Sequence, residues 1–480
     1  MRAFELKIGA VLLVFALVGT TGHAQTTSGD SSVAPLQPVV RPVDGINATN
    51  SGARSKSRDW NESVLTGAQQ ISPQAQSSRR SYWQPFFNVT STVDTNPLAM
   101  ANSVSLVPWA SFYGGFDLYA LSRRSDLSLS YLGGGVVSQY RSEDAPIQQL
   151  KFAGRLNWRR AAVSFIDQFG FFPEAVLANY FPTGVSDLSG NNRLLLQQAF
   201  LPNQSIASAV GQELTNTSVG ELDVSVGRRS SFSVLGSYSA VRYFNNNLLD
   251  LNDIVLQAGF NHQLTRRNTV ALLYRFIAFR FNGLYQPMNG HVVQVAFGRR
   301  VSDRWALELA AGPELAQFRP VSGQTVLGAF ASTATQPQRV FPTADLSVAY
   351  RSGHTLLRFG YVRGVTDGGG FLAGAVTDAG YGTLEHQLSR GIIAQLTGGY
   401  AKNRGLVALT QQPGNQIYRD WFGRATVSHA WGRWASVFLS YQVQHQARNS
   451  ACAGLVCAND FTRQLVSIGL TARAQPRLIG

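Results

Sequence analysis

The sequence predicts an all-β fold: a transmembrane antiparallel up-and-down β-barrel of about eighteen strands (sixteen to eighteen), preceded by a disordered N-terminal arm. Three observations predict it. Segments of about 10–14 residues alternate apolar with small or polar side chains. Eight short turns, most of them with arginine, join these segments in pairs: Ser122-Arg123-Arg124-Ser125-Asp126, Trp158-Arg159-Arg160, Gly227-Arg228-Arg229-Ser230, Thr265-Arg266-Arg267-Asn268, Val301-Ser302-Asp303-Arg304, Arg351-Ser352-Gly353-His354, Ser389-Arg390-Gly391 and Gly432-Arg433. Longer, irregular loops join the far ends. Short turns at one end, long loops at the other and period-2 strands between are the pattern of a membrane barrel.

Composition agrees. Charged residues are 14% and hydrophobic residues 44%, against roughly 25% charged in ordinary globular chains. Such a chain fits strands with one lipid face and one watery face. After the first 25 residues no stretch is long and apolar enough for a membrane-spanning helix.

The N-terminus reads as an export leader. Arg2 and Lys7 make a basic start, Ile8 to Val18 an apolar run, and Gly22-His23-Ala24 a small-x-small cleavage site. The expected organisation is a signal peptide over 1–24, a disordered periplasmic arm over 25–81 and a barrel over 82–480. The arm is rich in Ser, Thr, Gln, Asn and Pro and too poor in apolar side chains to fold alone.

The net charge is +14, and only Lys7, Lys56, Lys151 and Lys402 are lysines. A basic chain can bind nucleic acid, but an exported one has little occasion to. Arginine suits bidentate contact with phosphate and carboxylate, so lipid phosphate, lumen carboxylates and anionic solutes are the expected contacts. Cys452 and Cys457 form a C-x4-C pair in one loop, which in an oxidising compartment reads as a disulfide.

The candidate strands are 84–95, 104–121, 126–141, 148–158, 160–172, 217–228, 230–244, 253–265, 268–282, 290–301, 304–319, 341–351, 354–365, 377–389, 391–404, 417–431, 433–447 and 460–474. In the last, Val466, Ile468, Leu470 and Ala472 belong to the lipid face and Ser467, Gly469, Thr471 and Arg473 to the lumen. Trp158, Trp305, Trp431 and Trp434 by the short turns, and Tyr140, Phe171, Phe172, Tyr243, Phe244, Phe281 and Tyr285 by the long loops, suggest two aromatic girdles. The long loops are 173–216, 320–340, 405–416 and 448–459; the first, with its Leu194-Leu195-Leu196 run, is expected to fold inward as a constriction, with a surface lid as the alternative. Gly368-Gly369-Gly370 lacks the Lys-Ser/Thr of a phosphate loop and reads as a flexible loop tip.

A search for chemistry finds no catalytic constellation. The histidines fall singly; His386 and Ser389 point to opposite faces of a strand. No G-x-S-x-G or spaced metal-ligand set occurs, so neither an enzyme nor a metal or cofactor is expected. Charges within strands are costly in lipid, which assigns Lys151, Arg155, Glu221, Asp223, Arg275, Glu308, Arg358, Glu385 and Arg473 to the lumen. There they either pair into a stiffening network or form an electrostatic filter.

Pro85-Phe86-Phe87 followed by Val93-Asp94-Thr95-Asn96-Pro97 resembles the first strand of a broad group of outer-membrane β-barrel porins linked to exopolysaccharide systems. The resemblance extends in layout over residues 82–474 and implies an outer-membrane barrel. It supplies no catalytic residues. The terminal Arg477-Leu478-Ile479-Gly480 departs from the aromatic ending that barrel-assembly machinery commonly reads. The expected function is passive passage of small hydrophilic solutes with a mild anion preference; the alternative is polysaccharide export or surface attachment. Outer-membrane lipid, the assembly machinery, and small solutes or polysaccharide are the expected partners, with no nucleic acid.

Overall fold

The computed structural model describes residues 81–97, 105–138, 145–172, 212–244, 248–281, 287–302, 304–318, 338–369, 372–406, 416–432, 434–449 and 460–479. The expected leader, the expected arm up to residue 80, the expected Cys452–Cys457 disulfide and most of the four long loops lie outside them.

The strands are β1 (Tyr82–Asp94), β2 (Val107–Leu121), β3 (Ser125–Ser138), β4 (Ala145–Asn157), β5 (Ala161–Phe172), β6 (Glu213–Ser225), β7 (Ser230–Tyr243), β8 (Leu251–Gln263) and β9 (Asn268–Phe281). They continue with β10 (Met288–Arg300), β11 (Trp305–Phe318), β12 (Gln338–Ser352), β13 (Thr355–Thr366), β14 (Ala375–Gln387), β15 (Ile392–Gly405), β16 (Ile417–Trp431), β17 (Ala435–Arg448), β18 (Phe461–Arg473) and the short β19 (Arg477–Leu478). From β1 to β18 each strand pairs antiparallel with the next, and β18 returns to β1 from Phe86↔Arg473 to Asp94↔Leu465. This is a closed eighteen-strand antiparallel barrel. β19 lengthens the seam through Tyr82↔Leu478 and Trp83↔Arg477; alternation has no purchase on so short a strand.

The eighteen long strands fall on the expected segments, with ends shifted by a few residues. The largest shift is at β6, which starts at Glu213 instead of 217. Leu214 and Thr215 fit strand geometry, and the polar Asn216 and Thr217 between them and Val219 obscure the alternation. The first strand pairs with β2 along its whole length.

The two faces follow from period 2. On β18, Val466 and Ile468 are exposed, while Arg463, Leu465 and Thr471 are buried; on β8, Ile254, Leu256 and Phe260 are exposed, while Asp253, Gln257 and Asn261 are buried. Phe87, Phe112, Leu150, Phe165, Leu272, Val295, Leu309 and Leu439 carry the apolar outer face round the barrel. So large an apolar belt is a liability in water and suits hydrocarbon. Closure leaves no unpaired sheet edge, the condition for strands to cross a bilayer.

Two backbones approach closely at Gly312 on β11, where an added Cβ would lie 1.8 Å from the Val293 carbonyl oxygen of β10. Only glycine fits there.

Trp158, Trp305, Trp431 and Trp434 are exposed by the short turns. The other aromatic level is met in part: Phe171 and Phe244 face outward with ring centroids 5.8 Å apart, and Tyr140 and Tyr285 lie outside the described residues. Phe172 is buried, and Tyr243 and Phe281 pack against the internal core cluster with Val241, Leu251 and Ile277. Position parity sends them inward. Further outward tyrosines stand five to seven residues in from the long-loop ends of their strands, each reaching diagonally to the following strand: Tyr131 to Gln148 (2.6 Å), Tyr238 to Asn252 (3.1 Å), Tyr274 to His291 (2.9 Å), Tyr361 to Asp378 (2.9 Å) and Tyr441 to Gln464 (3.2 Å).

Candidate functional site: the polar inner face

The site that strand parity builds is the inner wall of the barrel. The sequence-assigned charges stand on it, each flanked along its strand by outward apolar residues. Lys151 and Arg155 alternate with exposed Leu150, Phe152 and Leu156; Arg275 follows exposed Tyr274; Glu221, Glu308, Arg358 and Glu385 each neighbour an exposed Leu222, Leu309, Phe359 or Leu384. Asp223 and Arg473 have the same parity as Glu221 and Thr471.

These residues do not converge on one point. Arg155 is level with Asp126 across β3–β4 and two strands from Glu221, through Ser164. Lys151 shares a row with Asp117 and Ser130, whose hydroxyl donates to Asp117 Oδ1 at 2.7 Å. Arg358 and Glu385 are diagonal neighbours on β13 and β14. Arg275 Nε donates to Gln257 Oε1 at 2.8 Å, and the Arg473 guanidinium lies 6.0 Å from the Phe86 ring centroid.

Polar side chains of the inner wall hydrogen-bond in layers. Gln294 Nε2 donates to Asp345 Oδ2 (2.8 Å) and Thr343 Oγ1 (3.1 Å). Arg424 donates to Gln442 Oε1 at 2.8 Å, and Gln444 Nε2 to Asp420 Oδ2 at 3.0 Å. Glu314 Oε2 accepts from the Val365 amide at 2.9 Å. That contact is possible because β13 runs beyond its pairing with β12, which ends at Ala344↔Arg363. A cavity of about 60 Å³ lies here among Asp253, Arg275, Gln294, Glu314, Asp345 and Thr377.

The described residues of the glycine-rich stretch are packed, in contrast to the flexible tip expected from sequence. Leu372, Ala373 and Ala375 are buried, and Leu372 clusters with Leu248 and Tyr418. The Leu372 amide donates to Gly368 O (3.2 Å) and the Gly374 amide to Asp367 O (3.1 Å). Gly368 and Gly374 take positive φ of 85° and 88°, which allows this tight fold. The constriction expected within 173–216 lies outside the described residues as far as 211.

Sequence reasoning missed the most buried charges. Asp94 and Arg463 join β1 to β18, both fully buried, with Arg463 Nε 2.9 Å and 3.1 Å from the two carboxylate oxygens and Nη2 on Oδ2. Asp94 also accepts from the Asn96 backbone amide at 3.0 Å, and Asn96 Nδ2 donates to the Thr462 carbonyl at 3.2 Å, which together account for the Asp-x-Asn sequence at the end of the first strand. The signal was available in the alternation of Arg463 with outward Thr462 and Gln464. The assignment of all strand charges to the lumen needs a correction as well. Asp167, Arg242, Arg363, Asp378 and Lys402 share parity with the outward residues of their strands. Asp167 is met there by Ser218 Oγ (2.7 Å) and Asn216 Nδ2 (3.4 Å), and the others lie toward the long-loop rim, where the cost of charge falls.

No protein-family model matches the chain, and no curated protein matches it. Solved structures do. Crystalline OccK2 (OpdF) of Pseudomonas aeruginosa is 10% identical, with a TM-score of 0.42 over 82% of this chain and 98% of that one. OccAB1 of Acinetobacter baumannii is 9% identical, with a TM-score of 0.41 over 83% and 100%. A BenF-like porin of Pseudomonas fluorescens Pf-5 is 10% identical, with a TM-score of 0.40 over 83% and 98%. Likeness at this level leaves function to be argued from the barrel itself.

Proposed function

We propose that this barrel stands in a bacterial outer membrane and lets small hydrophilic solutes diffuse through its interior, without catalysis. One observation carries the reading: a closed eighteen-strand sheet presents a polar, charged inner face and an apolar outer one. A barrel of this strand number has room for an aqueous path. Lys151, Arg155, Glu221, Asp223, Arg275, Glu308, Arg358, Glu385 and Arg473 then act on passing solutes as a field of mixed sign.

The anion preference is small in this reading. Most of the arginine excess sits in the short turns, as in Arg123, Arg124, Arg159, Arg160, Arg266 and Arg267, while the inner wall carries Asp117, Glu221, Asp223, Asp253, Glu308 and Glu385 beside its cations. Residues 1–24 are the leader removed on export, 25–81 the periplasmic arm, Cys452–Cys457 a loop disulfide, and the assembly machinery inserts the barrel. Among the described residues no feature favours polysaccharide export.

The test is single-channel conductance of the refolded mature chain in a planar bilayer, with reversal potentials in a salt gradient. Stable steps with weak ion selectivity are expected. Silence from a barrel shown to be folded would overturn solute passage.

A further inference from the structure

The outer rim at the long-loop end carries cations, and elsewhere the chain supplies their partners. Arg363 Nη1 donates to Asp378 Oδ1 at 3.1 Å; Arg242 Nη2 donates to Asn252 Oδ1 at 2.7 Å, with Asp250 3.9 Å from its Nε. The β15–β16 pair is different. Lys402 and Arg419 are register partners, both outward, and Arg404 follows two residues along β15. Side chains directly opposite stand about 5 Å apart, and like charges there destabilise a sheet. Among the described residues none of the three has an ion-pair partner. Asp378 faces Lys402 across β14–β15, but its Oδ1 accepts from Arg363 and Tyr361, and no ion pair joins it to Lys402. The 406–416 connection contains no Asp or Glu.

Toward the membrane interior the next outward pair is Tyr400↔Trp421, both exposed. One step deeper Gly382, Gly398 and Gly423 lie side by side on three strands. They floor an apolar groove of about 410 Å³ walled by Leu384, Leu396 and Val443. Gly398 and Lys402 are four residues apart, about 13 Å along the strand at the usual rise. In order of depth the face therefore offers cations without an ion-pair partner among the described residues, exposed aromatics and an apolar channel.

We propose that this face holds one membrane lipid with a phosphate-bearing headgroup, its phosphate on Lys402, Arg404 and Arg419 and an acyl chain along the glycine-floored groove. The guanidinium forks match phosphate geometry, the anion relieves the like-charge pair, and Tyr400 and Trp421 sit at headgroup level. The inference rests on the barrel standing in a membrane, not on solute passage.

The test uses the whole barrel in a nonionic detergent, incubated with diphosphorylated lipid A and read by native mass spectrometry. One bound copy is expected, with little loading of diacylglycerol and no displacement by excess inorganic phosphate. The triple variant Lys402→Gln, Arg404→Gln, Arg419→Gln should lose at least five-fold of the bound fraction. Gly423→Leu should do the same with all three cations present; its Cβ would lie 3.7 Å from Val443 Cγ1, an ordinary contact. Gly382→Leu serves if that variant does not fold, and Arg266→Gln with Arg267→Gln should leave binding unchanged. Gel migration without heating checks that each barrel is folded. An empty wild type, undiminished binding by the folded triple variant, equal loading of diacylglycerol, or full displacement by inorganic phosphate would each overturn the lipid site.

Discussion

Asp94 and Arg463 lock the strands that close the barrel: 369 residues apart in sequence, they meet across β1–β18 with both side chains buried. Around them Asn88 Nδ2 donates to Thr471 Oγ1 at 2.8 Å, and the Thr92 and Ser467 hydroxyls lie 2.9 Å apart. The seam that closes the barrel is thus held by polar contacts on its inner face. Removing one member of a buried pair leaves the other charge uncompensated, at a cost of about 3–5 kcal/mol. Asp94→Ala and Arg463→Ala should each lower stability by that amount in urea titrations of the barrel in lipid vesicles. The double variant should fall well short of the sum. Additive losses would mean that the pair does not act as a unit.

Gly312 tests the tight approach of β10 and β11. Its missing Cβ would overlap the Val293 carbonyl at 1.8 Å, whereas a Cβ at Gly220 on β6 meets nothing within 4 Å. Gly312→Ala should force the backbones apart and greatly reduce the yield of folded barrel. Gly220→Ala should fold as wild type, within about 0.5 kcal/mol, as unconstrained surface changes do. Equal folding yields would refute the close approach.

Most of the barrel was legible because one quantity, period-2 alternation, records both strand and face. It located eighteen strands, and it placed Arg275 and Glu385 on the side opposite Tyr274 and Leu384. It failed where another contact overrides the lipid rule. Asp167 breaks the pattern on the outer face because Ser218 and Asn216, on the next strand, hydrogen-bond its carboxylate. Cross-strand partners depend on register, which a single strand does not carry. Phe172, Tyr243 and Phe281 were read by nearness to a loop, although parity sends them inward. The packing of Leu372 against Leu248 and Tyr418 joins two distant connections and the start of β16, and nothing local in the glycine-rich stretch foretells it. Asp94 and Arg463 sit in strands whose pattern was visible, but their meeting required closure.

Asp167 gives a prediction of unusual sign. A lipid-facing carboxylate costs free energy in a depth-dependent way, less than Arg or Lys, and Ser218 offsets only part of that cost. Asp167→Val should therefore raise stability by about 1 kcal/mol in the same vesicle titration. Ser218→Ala, which takes away the 2.7 Å donor and leaves the carboxylate, should lower it by about 1 kcal/mol. A loss of stability in Asp167→Val would instead mark the carboxylate as a contact point for another molecule on the outer face of β5–β6.

The inner charges can be separated from the rim by the direction of the selectivity change. Lys151, Arg155 and Arg358 are half-buried on the inner wall, so ions in the lumen pass close to them with little bulk water to screen the field. Replacing all three by Gln should move the reversal potential toward cations, by roughly two-fold in permeability ratio for a local change near 0.4 kcal/mol. Glu221→Gln, Asp223→Gln and Glu385→Gln together should move it toward anions by a similar factor. Arg266→Gln with Arg267→Gln, at an exposed turn, should shift it much less and lose that shift at high salt. If the turn variant moves the potential as far as the inner triples, the measured selectivity is set at the mouth and the inner charges serve to stiffen the wall.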